Sequence, residues 1–396
     1  MSMGTYPSRV RDASGTSRPF AVALNRVLMV CAFAVLPVIV FVMLFAAAGI
    51  AKDGDYAFDF KQFWQGANDV VHARSPYPSR ELLGASSDNL GPLGIQQVFR
   101  FPYPAASAVL LAPFGALPFQ VAAALEIALL IVATLAALWL VGVRDWRVFG
   151  LVSGTVIVNG AIRLGTLTPL LMLLVAVAWR WRDRRLVCAA ALAVAIVTKM
   201  FLWPLIAWLV VTRRYATAAL TTALTAAVTI GGWAVIGFDG FSLYPELVRR
   251  LTHVVDDRGY SLVALGVHAG LPLGESRLLP YVVGLPVLVG GLFAVRGRSD
   301  GDRAAFAFAI FASLLLTPIV WLHYFALLFV PLALARPRLG WAWALPLLFW
   351  FAPTQENNGH VSRVAIGLLL AATITLASGL AEWPGKARAR AGGRLA

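Results

Sequence analysis

Five long apolar runs constrain the fold of this chain more than any other feature. The runs are Val27 to Ile50, Ala122 to Val141, Ala216 to Ile236, Leu278 to Val295 and Val364 to Leu380. As a helix, each run is long enough to cross a hydrocarbon core of about 30 Å. Apolar residues make up 60% of the 396 residues, which is well above their share in a soluble domain. We therefore predict an all-α polytopic membrane protein.

Seven shorter apolar runs lie between or beside the long ones. Each is broken by glycine, proline or a single charge, and several are expected to pair as broken helices. They are 148–158, 168–179, 186–197, 201–211, 304–316, 325–335 and 341–351. Together with the long runs they predict about 10–12 transmembrane helices. An even count places both termini on one side.

Basic residues give the expected orientation in the membrane. Most of the 33 lysines and arginines fall in short loops and tails on the side of the N-terminus. Because such residues are retained in the cytoplasm, both termini are predicted to be cytoplasmic at the plasma (inner) membrane. The net charge of +14 then reflects this orientation and contact with anionic lipid. No basic run forms a soluble domain, which argues against nucleic-acid binding.

A single membrane domain is predicted over residues 21–385. It follows a disordered cytoplasmic tail, residues 1–20, and precedes a basic cytoplasmic tail, residues 386–396. The first long run has no small-residue cleavage site at its end and is expected to stay as an anchor. Polar residues concentrate in two periplasmic loops, 51–104 and 237–277, where we expect the chemistry.

An acidic residue, Asp59, follows the first long run within the segment Phe58 to Trp64. Apolar residues recur at helical spacing from there, at Phe60, Phe63, Trp64, Ala67, Val70 and Val71. This pattern predicts a helix in the membrane interface. Its water-facing residues would be Gln62, Gln65, Asn68 and Asp69. A carboxylate in the first turn either caps free backbone N–H groups or does chemistry at the membrane surface.

Lys199 and His323 stand in largely apolar surroundings. Such residues are costly in a membrane unless they are paired or hydrated, so both are functional candidates. The alternative is that they extend to the interface or bond a backbone carbonyl. Trp321 and Tyr324 beside His323 suit both sugar stacking and an interfacial position.

Further polar candidates lie on the same predicted side. Arg163 and His360 can face an anion, although a loop arginine or histidine is usually only solvated. Tyr103 can line a substrate groove or belong to the aromatic belt of the membrane surface. Arg249, Arg250 and His253 share a helical face with Glu246. They either bind an anionic headgroup of a substrate or form ion pairs within a solvated helix.

In order along the chain, five motifs resemble glycosyltransferase family 87. They are Asp59 followed by aromatic residues, Arg-Ser-Pro-Tyr ending at Tyr77, Phe-Pro-Tyr-Pro ending at Pro104, the lone Lys199 before a proline, and Thr-Pro-Ile-Val-Trp-Leu-His-Tyr ending at Tyr324. The resemblance runs from Asp59 to Pro331. Two positions depart from the family's pattern, which usually has asparagine at Thr166 and a second proline at Ala105.

The resemblance implies a GT-C fold and an inverting α-mannosyltransferase that uses polyprenyl-phosphate-mannose as donor, without metal or other cofactor. Length and basic termini are most similar to the mycobacterial members that attach α-(1→2)-mannose to phosphatidylinositol mannosides. Asp59 would be the catalytic base. We expect the donor to be bound by Lys199, His323, Arg163, Tyr324, Trp321 and His360. We expect the acceptor to be bound by Tyr103, Arg249, Arg250 and His253.

Three alternatives remain open at this point. A transferase of the same class can use another lipid-linked sugar, such as an arabinofuranosyl donor, or another envelope glycan acceptor. A lipid or glycolipid transporter would share the many spans, but it would carry a two-fold repeat and charges near the bilayer midplane. A structural membrane subunit would share the topology without placing Asp59, Lys199 and His323 on one side.

Overall fold

The computed structural model describes residues 17–50, 57–85, 87–352 and 360–379, which form helices and loops without a strand. The N-terminal helices are α1 (Ser17–Val30), α2 (Leu36–Ile50), α3 (Phe58–Val71), α4 (Arg80–Gly84), α5 (Ser87–Val98), α6 (Ala105–Leu110) and α7 (Ala112–Gly115). The central helices are α8 (Phe119–Leu140), α9 (Trp146–Ser153), α10 (Val156–Leu164), α11 (Thr168–Arg180), α12 (Arg185–Thr198), α13 (Pro204–Val211) and α14 (Tyr215–Val235).

The C-terminal helices are α15 (Tyr244–Val254), α16 (Leu262–His268), α17 (Leu273–Ser276), α18 (Leu279–Ala294), α19 (Gly301–Leu316), α20 (Phe329–Ala335) and α21 (Val361–Gly379). A π-helical turn, Cys31–Val35, joins α1 to α2. Three 3-10 helices complete the described chain, at Met200–Leu202, Leu322–Leu328 and Trp341–Phe351.

Five helical stretches are long and apolar enough to cross a membrane. They are Val22–Met43, Phe119–Leu140, Tyr215–Val235, Leu273–Ala294 and Val361–Gly379. Each overlaps one of the five long runs identified in the sequence, so the predicted all-α polytopic membrane fold is confirmed. Helices α9 and α10 meet at 62° and would make a sixth crossing if they act as one broken span.

The remaining apolar helices are shorter than a single crossing requires. Helix α11, with 13 residues, is about 20 Å long at 1.5 Å per residue. Length and composition thus support five or six crossings among the described residues. The count of 10–12 depends on the short helices and stays a prediction.

Helix α19 lies at the centre of the bundle, and nearly all its side chains from Ala304 to Leu315 are buried. The membrane helix α18 approaches it closely through two glycines. A Cβ atom on Gly284 would lie 2.8 Å from Leu316, and one on Gly291 would lie 2.7 Å from Phe308. Small residues at these positions let two membrane helices pack without relying on the hydrophobic effect.

The two outer segments that the sequence placed on one side contact each other. The ring of Tyr77 packs edge-on against that of Tyr244 with ring centres 5.7 Å apart, and the Tyr244 hydroxyl donates to the carbonyl of Pro102 at 3.4 Å. The Arg250 guanidinium donates to the carbonyl of Ala85 at 2.8 Å. The described residues of loops 51–104 and 237–277 therefore form one layer at this end of the bundle.

Loops predicted to be cytoplasmic meet at the other end. The Asp302 carboxylate accepts hydrogen bonds from Arg182 at 3.0 Å and from Arg214 at 3.0 Å, although these residues come from three different loops or helix ends. Asp145 likewise accepts from the backbone N–H of Leu339 at 3.0 Å. The basic loops thus share one end of the bundle, as the distribution of charge predicted.

Helix α3 corrects part of the predicted pattern. Its apolar face is largely as expected, with Phe60, Phe63 and Ala67 buried. The prediction that Asp69 faces water is wrong, because its carboxylate is buried and paired with two arginines. Val71, assigned to the apolar face, is instead exposed. The helix packs on α6, α7 and α8, so more than one of its faces is covered.

The predicted tails fall mainly outside the described residues. Residues 1–16 and 386–396 are not among them, and α1 already begins at Ser17, inside the segment 1–20 that was expected to be disordered.

Candidate functional site

The start of α3 positions Asp59. Ala57, just before the helix, has a left-handed backbone with φ of 53°. Its N–H donates to the carbonyl of Arg163 at 2.8 Å. A left-handed alanine is sparsely populated and costs about 1 kcal/mol, so the surrounding structure must impose it. The turn at Arg163 and Gly165 therefore fixes where the first turn of α3 begins.

Asp59 is half-buried in that first turn and accepts no hydrogen bond from any of the described residues. It therefore does not cap its helix within the described chain. Burial raises the pKa of Asp59 to about 6, while the nearby positive charge of Lys199 acts to lower it. A carboxylate that is ionised near neutral pH and free of such bonds is suited to accept a proton.

Lys199 lies where α12 ends and the 3-10 helix Met200–Leu202 begins. Its backbone is extended, with φ of −142° and ψ of 97°, so the helix is interrupted at this residue. The Nζ atom donates to the hydroxyl of Tyr324 at 3.0 Å. It lies 4.5 Å from the ring centre of Tyr103, 5.2 Å from that of Tyr324 and 5.9 Å from that of Phe63. Three aromatic rings thus surround the ammonium group.

These rings are themselves held by stacking. Phe63 stacks on Tyr103 with ring centres 3.9 Å apart, and Phe201 stacks on Tyr324 at 4.9 Å. Each contact of a cation with a ring contributes about 0.5–2 kcal/mol, more where water is excluded. We call Phe63, Tyr103, Lys199, Phe201 and Tyr324 the lysine cage. It joins α3, the segment before α6, the α12 end and the 3-10 helix Leu322–Leu328.

Tyr103 faces both charges of the site. Burial raises the pKa of its phenol, and the Asp59 charge raises it further, whereas Lys199 lowers it. His323 is buried, packs edge-on against Tyr324 with ring centres 4.9 Å apart, and is close enough to Lys199 to feel its charge. The structure therefore brings together Asp59, Tyr103, Lys199, His323 and Tyr324.

The other residues expected to bind the donor are placed less centrally. Arg163 is half-buried at the end of α10, and its carbonyl anchors Ala57. Trp321 is half-buried against Gly259. His360 is exposed at the start of α21. No described contact joins the side chains of these three residues to the lysine cage.

The expected acceptor residues on α15 are engaged with neighbouring acids. Glu246 accepts from Arg249 at 2.7 Å and from Arg250 at 3.0 Å. His253 lies 3.2 Å from Asp256. These are the internal ion pairs that the sequence left open as an alternative. Of the four predicted acceptor residues, Tyr103 alone belongs to the lysine cage.

Two residues of the lysine cage, Phe63 and Phe201, were not predicted as site residues from the sequence. Phe63 follows Asp59 by four residues, so helical spacing alone places both on one side of α3, which is a usable signal. Phe201 has no such signal, because its partner Tyr324 is distant in the chain. Among the described residues no group of three or more His, Cys, Asp or Glu side chains is placed to hold a metal ion.

The fold and the site together define a class. A polytopic membrane bundle carries, at one end, the half-buried carboxylate of Asp59 within range of the charge of the caged Lys199, beneath a layer of outer loops. This arrangement fits an enzyme that moves a group between substrates held at the membrane surface.

The chain belongs to glycosyltransferase family 87, whose family profile matches residues 101–321, more than half of its length. The match includes Tyr103, Arg163 and Lys199, and it excludes Asp59, His323 and Tyr324. No curated protein and no solved structure matches the chain. The protein is therefore a membrane glycosyltransferase.

Proposed function

We propose that this glycosyltransferase moves mannose from polyprenyl-phosphate-mannose to a phosphatidylinositol mannoside in an α-(1→2) linkage, with inversion at the anomeric carbon. The observation that carries the proposal is the half-buried Asp59 carboxylate, with a pKa near 6, facing the charge of Lys199. The choice of mannose and of acceptor rests on the resemblance of the motifs to those of the family.

Asp59 acts as the general base in this proposal. An acceptor hydroxyl oxygen attacks the anomeric carbon and forms the new glycosidic bond, while Asp59 takes the hydroxyl proton. The bond from the anomeric carbon to the phosphate oxygen breaks, and its electron pair leaves with the polyprenyl phosphate. One carboxylate suffices, because attack and departure occur on opposite faces of the sugar.

Lys199 and His323 stabilise the charge that develops on the departing phosphate. A cation fixed in place before the reaction needs no reorganisation at the transition state, which is the largest source of catalysis in many enzymes. The aromatic cage holds the ammonium group, to which no carboxylate of the described residues is bonded. Arg163, Tyr324, Trp321 and His360 complete the proposed donor site.

Tyr103 lies within electrostatic range of both charges and is the proposed contact to the acceptor sugar. Arg249, Arg250 and His253 are proposed to bind the acceptor headgroup. For the arginines this requires that a headgroup phosphate replace the Glu246 carboxylate as their partner.

Transfer of radiolabelled mannose by purified protein tests the proposal. We expect Asp59→Asn to lower the transfer rate by about 100-fold or more, since general-base catalysis contributes about 10²–10⁴-fold. The matched control is Asp239→Asn, which removes an exposed carboxylate from the other outer loop. Near-normal turnover by Asp59→Asn would exclude the base. No transfer by the wild type would redirect the search to an arabinofuranosyl donor or to transport.

A further inference from the structure

A basic cavity lies at the opposite end of the bundle from the lysine cage. Its volume is about 500 Å³, within the range of small-ligand sites, and the turn after α13 and the turn between α18 and α19 line it. Lys199 precedes the segment Met200–Val211, whereas Thr212, Arg213 and Arg214 follow it. Twelve helical residues separate the two sites along this segment, or roughly 18 Å.

The charge of this cavity is not balanced by the described residues. Arg214 is paired with Asp302 at 3.0 Å and with Asp183 at 3.2 Å, and Arg298 is paired with Asp300 at 3.0 Å. Arg213 and Arg296 also line the cavity, are exposed, and form no ion pair with a described carboxylate. Two guanidinium groups are therefore available to an anion.

The carboxylate of Asp302 holds one arginine of the cavity wall in place. It accepts from Arg214 at 3.1 Å and from the indole N–H of Trp208 at 2.8 Å, and it also accepts from Arg182, outside the cavity, at 3.0 Å. This part of the wall is thus fixed before any ligand arrives, which lowers the entropic cost of binding.

The backbone of Arg213 supplies an independent observation. Its φ is +61°, in the left-handed region that glycine favours at a helix C-terminus. The turn on the other side of the cavity uses Gly297, with φ of +82°, next to Arg296. An arginine held in a conformation that glycine adopts without cost points to a use for its side chain.

The surroundings of the cavity indicate the kind of ligand. Val210, Tyr215 and Phe293 are exposed apolar residues that lie within two residues of its lining along the chain, and the last two belong to helices that can span a membrane. Lipid acyl chains can lie along these side chains while a headgroup enters the cavity. Basic pockets between membrane helices are suited to anionic headgroups.

We propose that Arg213 and Arg296 form a binding site for the phosphate of an anionic glycerophospholipid, separate from the catalytic site and on the cytoplasmic side of the membrane. The lipid would tie the α13–α14 turn to the α18–α19 turn.

The test is lipid binding by the detergent-purified full chain, measured by native mass spectrometry and by thermal stabilisation. The probes are phosphatidylglycerol, phosphatidylcholine and glycerol 3-phosphate. We expect phosphatidylglycerol to bind and stabilise, and phosphatidylcholine not to. Binding of glycerol 3-phosphate as tight as that of the lipid would identify a soluble phosphate compound as the ligand and overturn the lipid assignment.

The double variant Arg213→Gln and Arg296→Gln should bind phosphatidylglycerol about 30-fold more weakly, since each arginine near a membrane surface contributes about fivefold. The matched control is Arg184→Gln with Arg185→Gln, which removes the same charge from exposed residues outside the cavity. Equal losses in both pairs would mean general surface charge and would overturn the proposal.

The variant Arg213→Gly keeps the test decisive if the double variant folds poorly. It removes the charge and also relieves the left-handed arginine, so the lipid-free protein should be at least as stable as the wild type. Its stabilisation by phosphatidylglycerol should fall. Undiminished stabilisation would show that Arg213 does not hold the phosphate.

Discussion

At the scale of single residues, Asp59 and Lys199 depend on each other. Burial raises the pKa of Asp59 to about 6 from its ordinary value of 3.8, and the Lys199 charge limits that rise. The carboxylate is therefore mostly ionised at neutral pH, yet more basic than a solvated aspartate. A base works best when its pKa lies just below the working pH.

The pH dependence of transfer should report this carboxylate. Asp59 must be ionised to take a proton, so the rate should fall as the pH drops through about 6, by about tenfold per unit below it. Initial rates between pH 5 and 8, measured where the enzyme is stable, define this acid limb of the pH–rate profile. The pKa of a solvated aspartate is about two units lower, so the two cases can be distinguished. A rate that stays constant down to pH 5 would contradict it.

Lys199→Met provides the companion measurement. Removing the positive charge removes the influence that lowers the Asp59 pKa. The acid limb should then move to higher pH, whatever the loss in maximal rate. A limb at the wild-type position would show that the two charges do not interact.

At the scale of elements, α3 is held at both ends. Its start is fixed by the bond from Ala57 to Arg163. Near its end, the buried Asp69 binds Arg74 at 3.1 Å and Arg100 at 2.9 Å, and Arg100 leads directly into the segment that carries Tyr103. Asp59 and Tyr103 are thereby positioned through one helix.

Asp69→Asn should loosen this arrangement. The amide cannot replace two charge-assisted hydrogen bonds, and a loss of about 1–3 kcal/mol is expected. The apparent melting temperature in detergent should fall, and the transfer rate should fall with it. Asp239→Asn is again the control, because that carboxylate is exposed. An unchanged melting temperature would mean that the two arginines do not rely on Asp69.

Gly66→Ala tests the contact between α3 and the Tyr103 segment. A Cβ atom there would overlap the buried ring of Phe101, and such overpacking costs about 1–3 kcal/mol. Gly160→Ala in α10 is the matched control, because its Cβ would meet nothing within 4 Å. That substitution should raise the melting temperature, since alanine favours a helix by up to about 1 kcal/mol over glycine. Equal effects would show that Phe101 yields to the methyl group.

The limits and most of the buried face of α3 could be predicted because helical periodicity is local in the sequence. The burial of Asp69 could not, because it depends on Arg100, 31 residues further along. For the same reason, the membrane spans could be predicted from the sequence but the arrangement of the site could not. Hydropathy needs only one run of residues, whereas the lysine cage requires Tyr324 to lie beside Lys199 across 125 residues.

At the scale of the whole molecule, the two ends of the bundle differ in chemistry. The outer loops, Asp59 and the lysine cage share one end. The other end carries the arginines that converge on Asp302 and the basic cavity. Helix α19 runs from the basic end to the segment that leads into His323, so a single buried helix connects both. An orientation assigned to either end therefore fixes the other.

Thiol labelling in intact cells tests that orientation. Cys31 and Cys188 are first replaced, because both are free thiols. A membrane-impermeant maleimide should then label Asp239→Cys, at the end that carries the lysine cage, and should leave Arg184→Cys unlabelled. Permeabilised cells should show both labelled, which controls for access. The reverse pattern would place the lysine cage on the cytoplasmic side. The predicted orientation rests on the rule that basic loops stay in the cytoplasm, and that rule would then not hold for this chain.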